Sequence, residues 1–269
     1  VTVMHKENVM QRRSVFRWGG SALGLAVLNA CGQSRISATA GFNLAVAASL
    51  KDVMQALDAA FVQQNPRPTA VLQAAGSGTL AQQIIDGARF DLFAAADRTA
   101  MEKIITANIV TARDVVVIAH ADVIVIAHPN SAVVQLTDLA TPGTKVVLAD
   151  RTVPAGRYAQ TVLTNLTAVH GADFATAVNT NVVSLEANVR AVLQKVQSGE
   201  VDAGIVYTAD IAKIPDNALR AITIPEGYGV QAEYVAAVLP RAHADTPAFL
   251  DFIRGVAAAP IWQSHGFRA

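Results

Sequence analysis

The sequence predicts an α/β fold in which mostly parallel sheets are flanked by helices, built as two successive series of strand-helix units. Three observations predict it. After Gly41, short apolar runs alternate with stretches of helical periodicity. The units fall into two series, separated by a doubled apolar segment at 114–128. Four strand-to-helix corners, two in each series, repeat one local pattern. With 52% hydrophobic and 16% charged residues in 269, the chain can bury one large or two modest cores, and its composition excludes disorder.

Residues 42–48 read as the first strand. Val53, Leu57 and Phe61 then recur every fourth residue as one helix stripe, which should stop at Asn65-Pro66 because the residue before a proline avoids the helical region. A second strand at 70–74 leads to a helix over 79–86 with Leu80, Ile84 and Ile85 inward, and a third strand spans 91–95. Met101, Ile104 and Ile105 mark the next helix. Such crossovers imply parallel neighbours. Residues 114–120, ending in His120, are then nearly repeated at 122–128, ending in His128. One echo is too short for a repeat architecture, so it reads as two adjacent apolar segments near a crossing between lobes, with the histidines at turns or strand ends.

The second series opens with a strand at 144–149, after which 150–158 turns into a helix carrying Tyr158, Val162, Leu166 and Val169. A short strand at 181–184 precedes a helix with Val189, Val192, Leu193 and Val196 inside, capped by Asn188 and ended by Gly199. Residues 203–207 form a strand finishing in Tyr207, 215–225 hold another, 226–231 are a loop, and 233–239 are a long apolar strand. Phe249, Phe252, Ile253 and Val256 make a helix face in 247–256, and with Ile261, Trp262 and Phe267 the last helices should pack back on the first lobe.

Several function classes are excluded early. Lys plus Arg equal Asp plus Glu at 21 each, so no basic field meets a phosphate backbone, and a nucleic-acid partner is not expected. The six histidines and the single cysteine form no metal-ligand spacing, so neither a zinc site nor a cofactor is expected. An enzyme is the reading of a different class, with Ser49 or Ser77 as nucleophile. Gly76-Ser77-Gly78 lacks the Gly-x-Ser-x-Gly elbow and does not continue into the Gly-Lys of a phosphate loop, which disfavours a serine hydrolase and a nucleotidase. Asp91 and Asp97 read as residues that cap or hold loops.

Residues 1–40 read as an export signal. Lys6, Arg12, Arg13 and Arg17 precede an apolar run at 18–30, shorter than the roughly 20 residues a spanning helix takes. Translation starts at Val1 or at Met10, and Arg12-Arg13 with Phe16 resembles a twin-arginine signal. Leu28-Asn29-Ala30-Cys31 resembles a lipobox, which would make Cys31 a lipid anchor, while Ala38-Thr39-Ala40 offers an ordinary cleavage site; the lipobox is favoured because it directly follows the apolar run. Cys31 is the only cysteine, so no intramolecular disulfide can form.

The four corners are Ser49, Ser77, Pro154-Ala155-Gly156 and Asn188-Val189. Each leaves backbone amides unpaired at a helix start, where the macrodipole adds partial positive charge, and such a corner suits an anion. In parallel sheets these corners gather along the carboxyl edge of the strands, so a ligand between two lobes would be held from both sides. On residue chemistry alone Ser49 and Ser77 read more readily as helix caps, the usual role of serine there, than as ligand contacts, Tyr207 as a strand-end core tyrosine, and Arg151 and Arg157 as solvated.

Ala47-Ala48-Ser49-Leu50, 76–84, 91–97, Val153-Pro154-Ala155-Gly156-Arg157-Tyr158-Ala159 and Gly204-Ile205-Val206-Tyr207, in that order, resemble the molybdate-binding proteins that feed ABC transporters. The resemblance spans about residues 42–267. It implies the two-lobed type II periplasmic-binding fold, with lobe 1 at 42–121 and 229–269, lobe 2 at 122–228, and the ligand in the cleft between them. It also implies that Ser49 and Ser77 offer hydroxyl and amide, Ala155 and Val189 their amides, and Tyr207 its phenol. Molybdate or tungstate would be held through its oxygens with no direct protein-metal bond, by a monomer serving an ABC permease. Sulfate or phosphate remains the alternative ligand. Two departures stand out: glycines 76 and 78 flank Ser77 where relatives often carry more serines, and no proline follows Tyr234.

Overall fold

Each apolar run becomes a strand, and the turn that leaves each strand decides where the corners lie. The computed structural model describes residues 41–67 and 69–269; the signal reading of 1–40, with Arg12-Arg13 and Cys31, falls outside the described residues. In the first series β1 (Asn43–Ala47), β2 (Val71–Ala75) and β3 (Leu92–Ala95) are parallel, with β1 between the other two. Helices α1 (Lys51–Gln64), α2 (Ser77–Ile85) and α3 (Arg98–Thr106) come after them in turn.

The doubled segment departs from expectation. It is one continuous strand, β4 (Val116–Ala127), because nothing in it breaks the extended backbone and both of its halves find partners. His120 therefore lies in mid-strand, paired with Glu233, and only His128 stands at a strand end.

In the second series β5 (Val146–Ala149) lies parallel to β6 (Val182–Glu186) and to β7 (Ala203–Tyr207). The helices here are α4 (Pro154–His170), α5 (Phe174–Thr180), α6 (Val189–Gln197) and the short α7 (Thr208–Ile211). After β8 (Arg220–Ile222) the chain returns through β9 (Gln231–Val238), α8 (Thr246–Arg254) and α9 (Ala259–Ser264).

The strand order is β2-β1-β3-β9-β4-β7-β5-β6, with β8 beside β4. β9 is antiparallel to β3 and to the first part of β4, and β4 is antiparallel to β7, so two long antiparallel strands join two parallel sets. Helix α8 packs on α1 as the periodicity predicts, with the Phe249 ring 5.4 Å from Phe61 and 5.5 Å from Phe42.

Three apolar positions expected inside are exposed: Ile85 at 38%, Val169 at 48% and Val256 at 90%. Ile85 is the last residue of α2. Helix α4, with 17 residues, is about 25 Å long and outruns the roughly 13 Å of the four-residue β5, which leaves Val169 beyond the sheet. α8 ends at Arg254 with Gly255 as its C-cap, so Val256 starts a separate 3-10 turn off the helix face. Helix α5 has no counterpart among the expected elements, although Phe174 and Val178, four apart and buried, carry its pattern.

Candidate functional site

The parallel strands deliver their carboxyl ends to one place. β1 runs into a 3-10 turn, Ala48–Leu50, with Ser49 in its middle, and Ser77 is the first residue of α2 after β2. Beyond β5, Pro154 opens α4 with its fixed φ, placing Ala155 second in the helix. Asn188 caps α6 by accepting from the Ala191 amide at 3.1 Å, so Val189 begins that helix. Tyr207 closes β7. In these first turns the backbone N–H groups have no carbonyl of their own helix to reach.

All five sequence-predicted residues, Ser49, Ser77, Ala155, Val189 and Tyr207, line a single small cavity. Every other lining side chain is Ala, Gly, Val, Pro or Asn, and no side chain of the cavity is charged.

The serines are not caps. The cap positions of their helices belong to Ala47 and Gly76, with no side-chain cap bond. Instead the Ala96 amide donates to Ser77 Oγ at 3.1 Å and the Tyr234 hydroxyl donates to Ser49 Oγ at 3.1 Å. With those acceptances made inside the protein, each serine proton is left to donate into the cavity. Tyr207 is 1% exposed and its hydroxyl has no hydrogen-bond partner among the described residues. Burial pushes its phenol well above the usual value, so it keeps its proton and stays a donor. Burial likewise pushes Tyr158, whose ring meets that of Tyr207 edge-on at 6.2 Å, up to about 12.

The two series meet closely around the cavity. A Cβ on Gly76 would stand 2.5 Å from the Ala187 carbonyl oxygen and 3.2 Å from Val153 Cγ1, so only glycine permits this approach. Arg157 is not solvated as expected: its Nε lies 3.1 Å from Asp97 Oδ2, its Nη2 pairs with the same oxygen, and its Nη1 donates to the Thr152 carbonyl at 2.6 Å. Asp97 also caps α3 by accepting from the Ala100 amide, as the sequence suggested. Asp91 holds loops, accepting from the Asn43 and His243 amides at 2.6 and 2.7 Å. Arg190, next to Val189, reaches Asp52 of α1 at 2.7 Å and Asp210 at 3.4 Å. Burial pushes Asp210 up to about 6, against the pull of Arg190, while its Oδ2 accepts the Tyr207 amide at 3.1 Å.

Sequence reasoning missed Tyr234 and the two cross-series ion pairs. Tyr234 reads as one more apolar letter of β9, and ion pairs between Asp97 and Arg157 or Asp52 and Arg190 have no sequence signal. Among the described residues no group of three or more His, Cys, Asp or Glu could hold a metal ion, and no helix is long and apolar enough to cross a membrane.

The cavity lies where the two series of strand-helix units meet, and the chain belongs to the bacterial extracellular solute-binding protein family, matched over residues 42–268. More particularly, its homologues are molybdate-binding proteins. The chain is 31% identical over 268 residues to the molybdate-binding protein ModA of Mycobacterium bovis, covering 93% of this chain and 98% of that one. Its fold matches the periplasmic molybdate-binding protein of Azotobacter vinelandii with a TM-score of 0.71 at 22% identity, covering 85% of this chain and 99% of that one. The sulfate-binding protein SubI of Mycobacterium tuberculosis matches with a TM-score of 0.73 at 17% identity, covering 85% and 86%. The fold is the type II periplasmic-binding fold. These relatives are transport binding proteins, so the chain is a solute-binding protein and not an enzyme, and the serine-hydrolase alternative falls.

Proposed function

We propose that this protein captures molybdate, and tungstate equally, through Ser49, Ser77, Ala155, Val189 and Tyr207, and delivers it to an ABC permease. The observation that carries the reading is the buried Tyr207 hydroxyl, which lines the cavity with its proton and no partner among the described residues. A buried polar group in that state calls for a ligand acceptor. The homology to ModA points to which acceptor.

Physical chemistry favours a fully deprotonated oxyanion. A dianion in a dry cleft must be hydrogen-bonded, and each donor to a charged acceptor contributes about 1.5–3 kcal/mol. Several converging donors therefore suffice for a Kd below about 1 μM. Phosphate near pH 7 carries a proton that wants an acceptor, and the cavity lining has no carboxylate to provide one. Sulfate is separated by its smaller size, and molybdate and tungstate hardly at all.

The lobe assignment, 42–121 with 229–269 against 122–228, is supported by the change of partner along β4, from β9 through Asp122 to β7 from Val123. Export to the periplasm or the outer face of the membrane, with Cys31 as lipid anchor and a twin-arginine route, completes the reading; it is expected of a monomer that needs no cofactor. An intact mass of the exported protein should show a lipid on Cys31, and a mature chain beginning after Ala40 would sink that part. For the site, Ser49→Ala with Ser77→Ala should weaken molybdate binding at least about tenfold in calorimetric titration. Unchanged affinity would remove the serines from the site.

A further inference from the structure

We propose that Tyr234 is a positioning residue that fixes the Ser49 hydroxyl as a proton donor to the ligand and braces the Tyr207 ring. It does not line the cavity, and the proposal rests on the oxyanion reading above.

Tyr234 lies in β9, is 0% exposed, and its hydroxyl meets Ser49 Oγ at 3.1 Å. A phenol has one proton to donate. Ser49 is the only hydrogen-bond partner of that hydroxyl among the described residues, so the buried proton goes to Ser49, whereas the Ser49 proton can be given to a ligand in the cavity it lines. The two hydroxyls therefore form a one-way chain running from Tyr234 through Ser49 to the ligand. Polarisation along such a chain strengthens the terminal donor.

The Tyr234 ring is itself held. It stands edge-on to Tyr207 with centroids 5.8 Å apart at 69°, and edge-on to Phe267 at 5.2 Å and 83°. Phe267 in turn meets Trp262 at 5.2 Å, so the ladder is anchored in the closing segment of the chain. One residue thereby sets a donor from the first series, Ser49, and steadies one from the second, Tyr207. Burial pushes the Tyr234 phenol well above its usual value, which keeps its proton in place.

The test is Tyr234→Phe, which keeps the ring and its edge contacts and removes only the hydroxyl. Molybdate affinity should fall about tenfold, with the melting temperature of the ligand-free protein changed by no more than a few degrees. The double variant Tyr234→Phe with Ser49→Ala should bind no more than about twofold weaker than Ser49→Ala alone, because both changes break one chain, while Tyr234→Phe with Ser77→Ala should show additive losses. Additive losses with Ser49→Ala, or an unchanged affinity for Tyr234→Phe, would overturn the proposal. A second readout needs no ligand: the Tyr234 hydroxyl proton should give a slowly exchanging resonance with a nuclear Overhauser contact to the Ser49 β protons. Its absence would also overturn the proposal. If the wild type bound neither molybdate, tungstate nor sulfate, the oxyanion reading would fail, and that resonance would still decide whether the hydrogen bond exists.

Discussion

Two residues show how little side chain the cavity needs and how strictly it is placed. Tyr207 brings a phenol that is buried, neutral and unpartnered, and Gly76 brings nothing but the space its missing Cβ leaves. The backbone of Gly76, with φ −60° and ψ 135°, is open to any residue, so alanine there would cause no local strain. The conflict arises only where the two series meet, because the new Cβ would stand 2.5 Å from the Ala187 oxygen. Gly76→Ala should thus leave the melting temperature of the ligand-free protein within a few degrees of wild type while lowering molybdate affinity at least about tenfold, as a clash that opens the cleft separates the donors. Wild-type affinity in that variant would show that the close approach is not needed for binding. At this scale the sequence is legible where its motifs are specific. Ser49, Ser77, Ala155 and Tyr207 sit in such motifs and meet in one cavity with Val189, which is marked only by its strand-to-helix corner. Tyr234 does not, because a hydroxyl pointing across a sheet to a residue 185 positions away leaves no local pattern.

The elements that matter are helix starts rather than whole helices. Those of α2, α4 and α6, with the 3-10 turn after β1, present amides and positive dipole ends to a cavity that contains no ionised side chain. The ionised groups stand outside it as clasps. Arg157 of α4 holds Asp97 at the start of α3, and Arg190 of α6 holds Asp52 of α1. Each clasp sits beside a site residue, Arg157 two residues beyond Ala155 and Arg190 directly after Val189. Together they favour the arrangement in which the donors converge. An exposed ion pair contributes at most about 1 kcal/mol, roughly fivefold in a rate or equilibrium constant, and somewhat more when partly buried. Replacing both arginines by alanine should accordingly speed molybdate release in stopped-flow by about tenfold or more; an unchanged release rate would make the pairs incidental. Most elements are legible from periodicity, since their apolar stripes face a sheet. β4 is not, because a repeated apolar sequence carries no mark of whether the chain turns between its copies. α5 escapes notice because one apolar pair four residues apart is a faint signal.

In the molecule as a whole, two long antiparallel strands, β4 and β9, tie together two parallel sets whose carboxyl ends face a common cleft. The two parallel sets and their corners are legible in the order of apolar runs along the chain. How the halves meet is not, because close approach and ion pairing depend on residues far apart in the chain. The lining has no ionised side chain, and the net charge provides no overall attraction for anions, being formally +0 over the full chain and lower without Lys6, Arg12, Arg13 and Arg17 of the proposed signal segment. Selectivity must then come from the number of neutral donors and the size of the space they enclose. The most direct test is calorimetric titration of the purified protein with molybdate and with sulfate under the same conditions. One molybdate should bind per chain with a Kd below about 1 μM, and sulfate should bind at least about a hundredfold more weakly. Sulfate bound as tightly as molybdate would contradict the account.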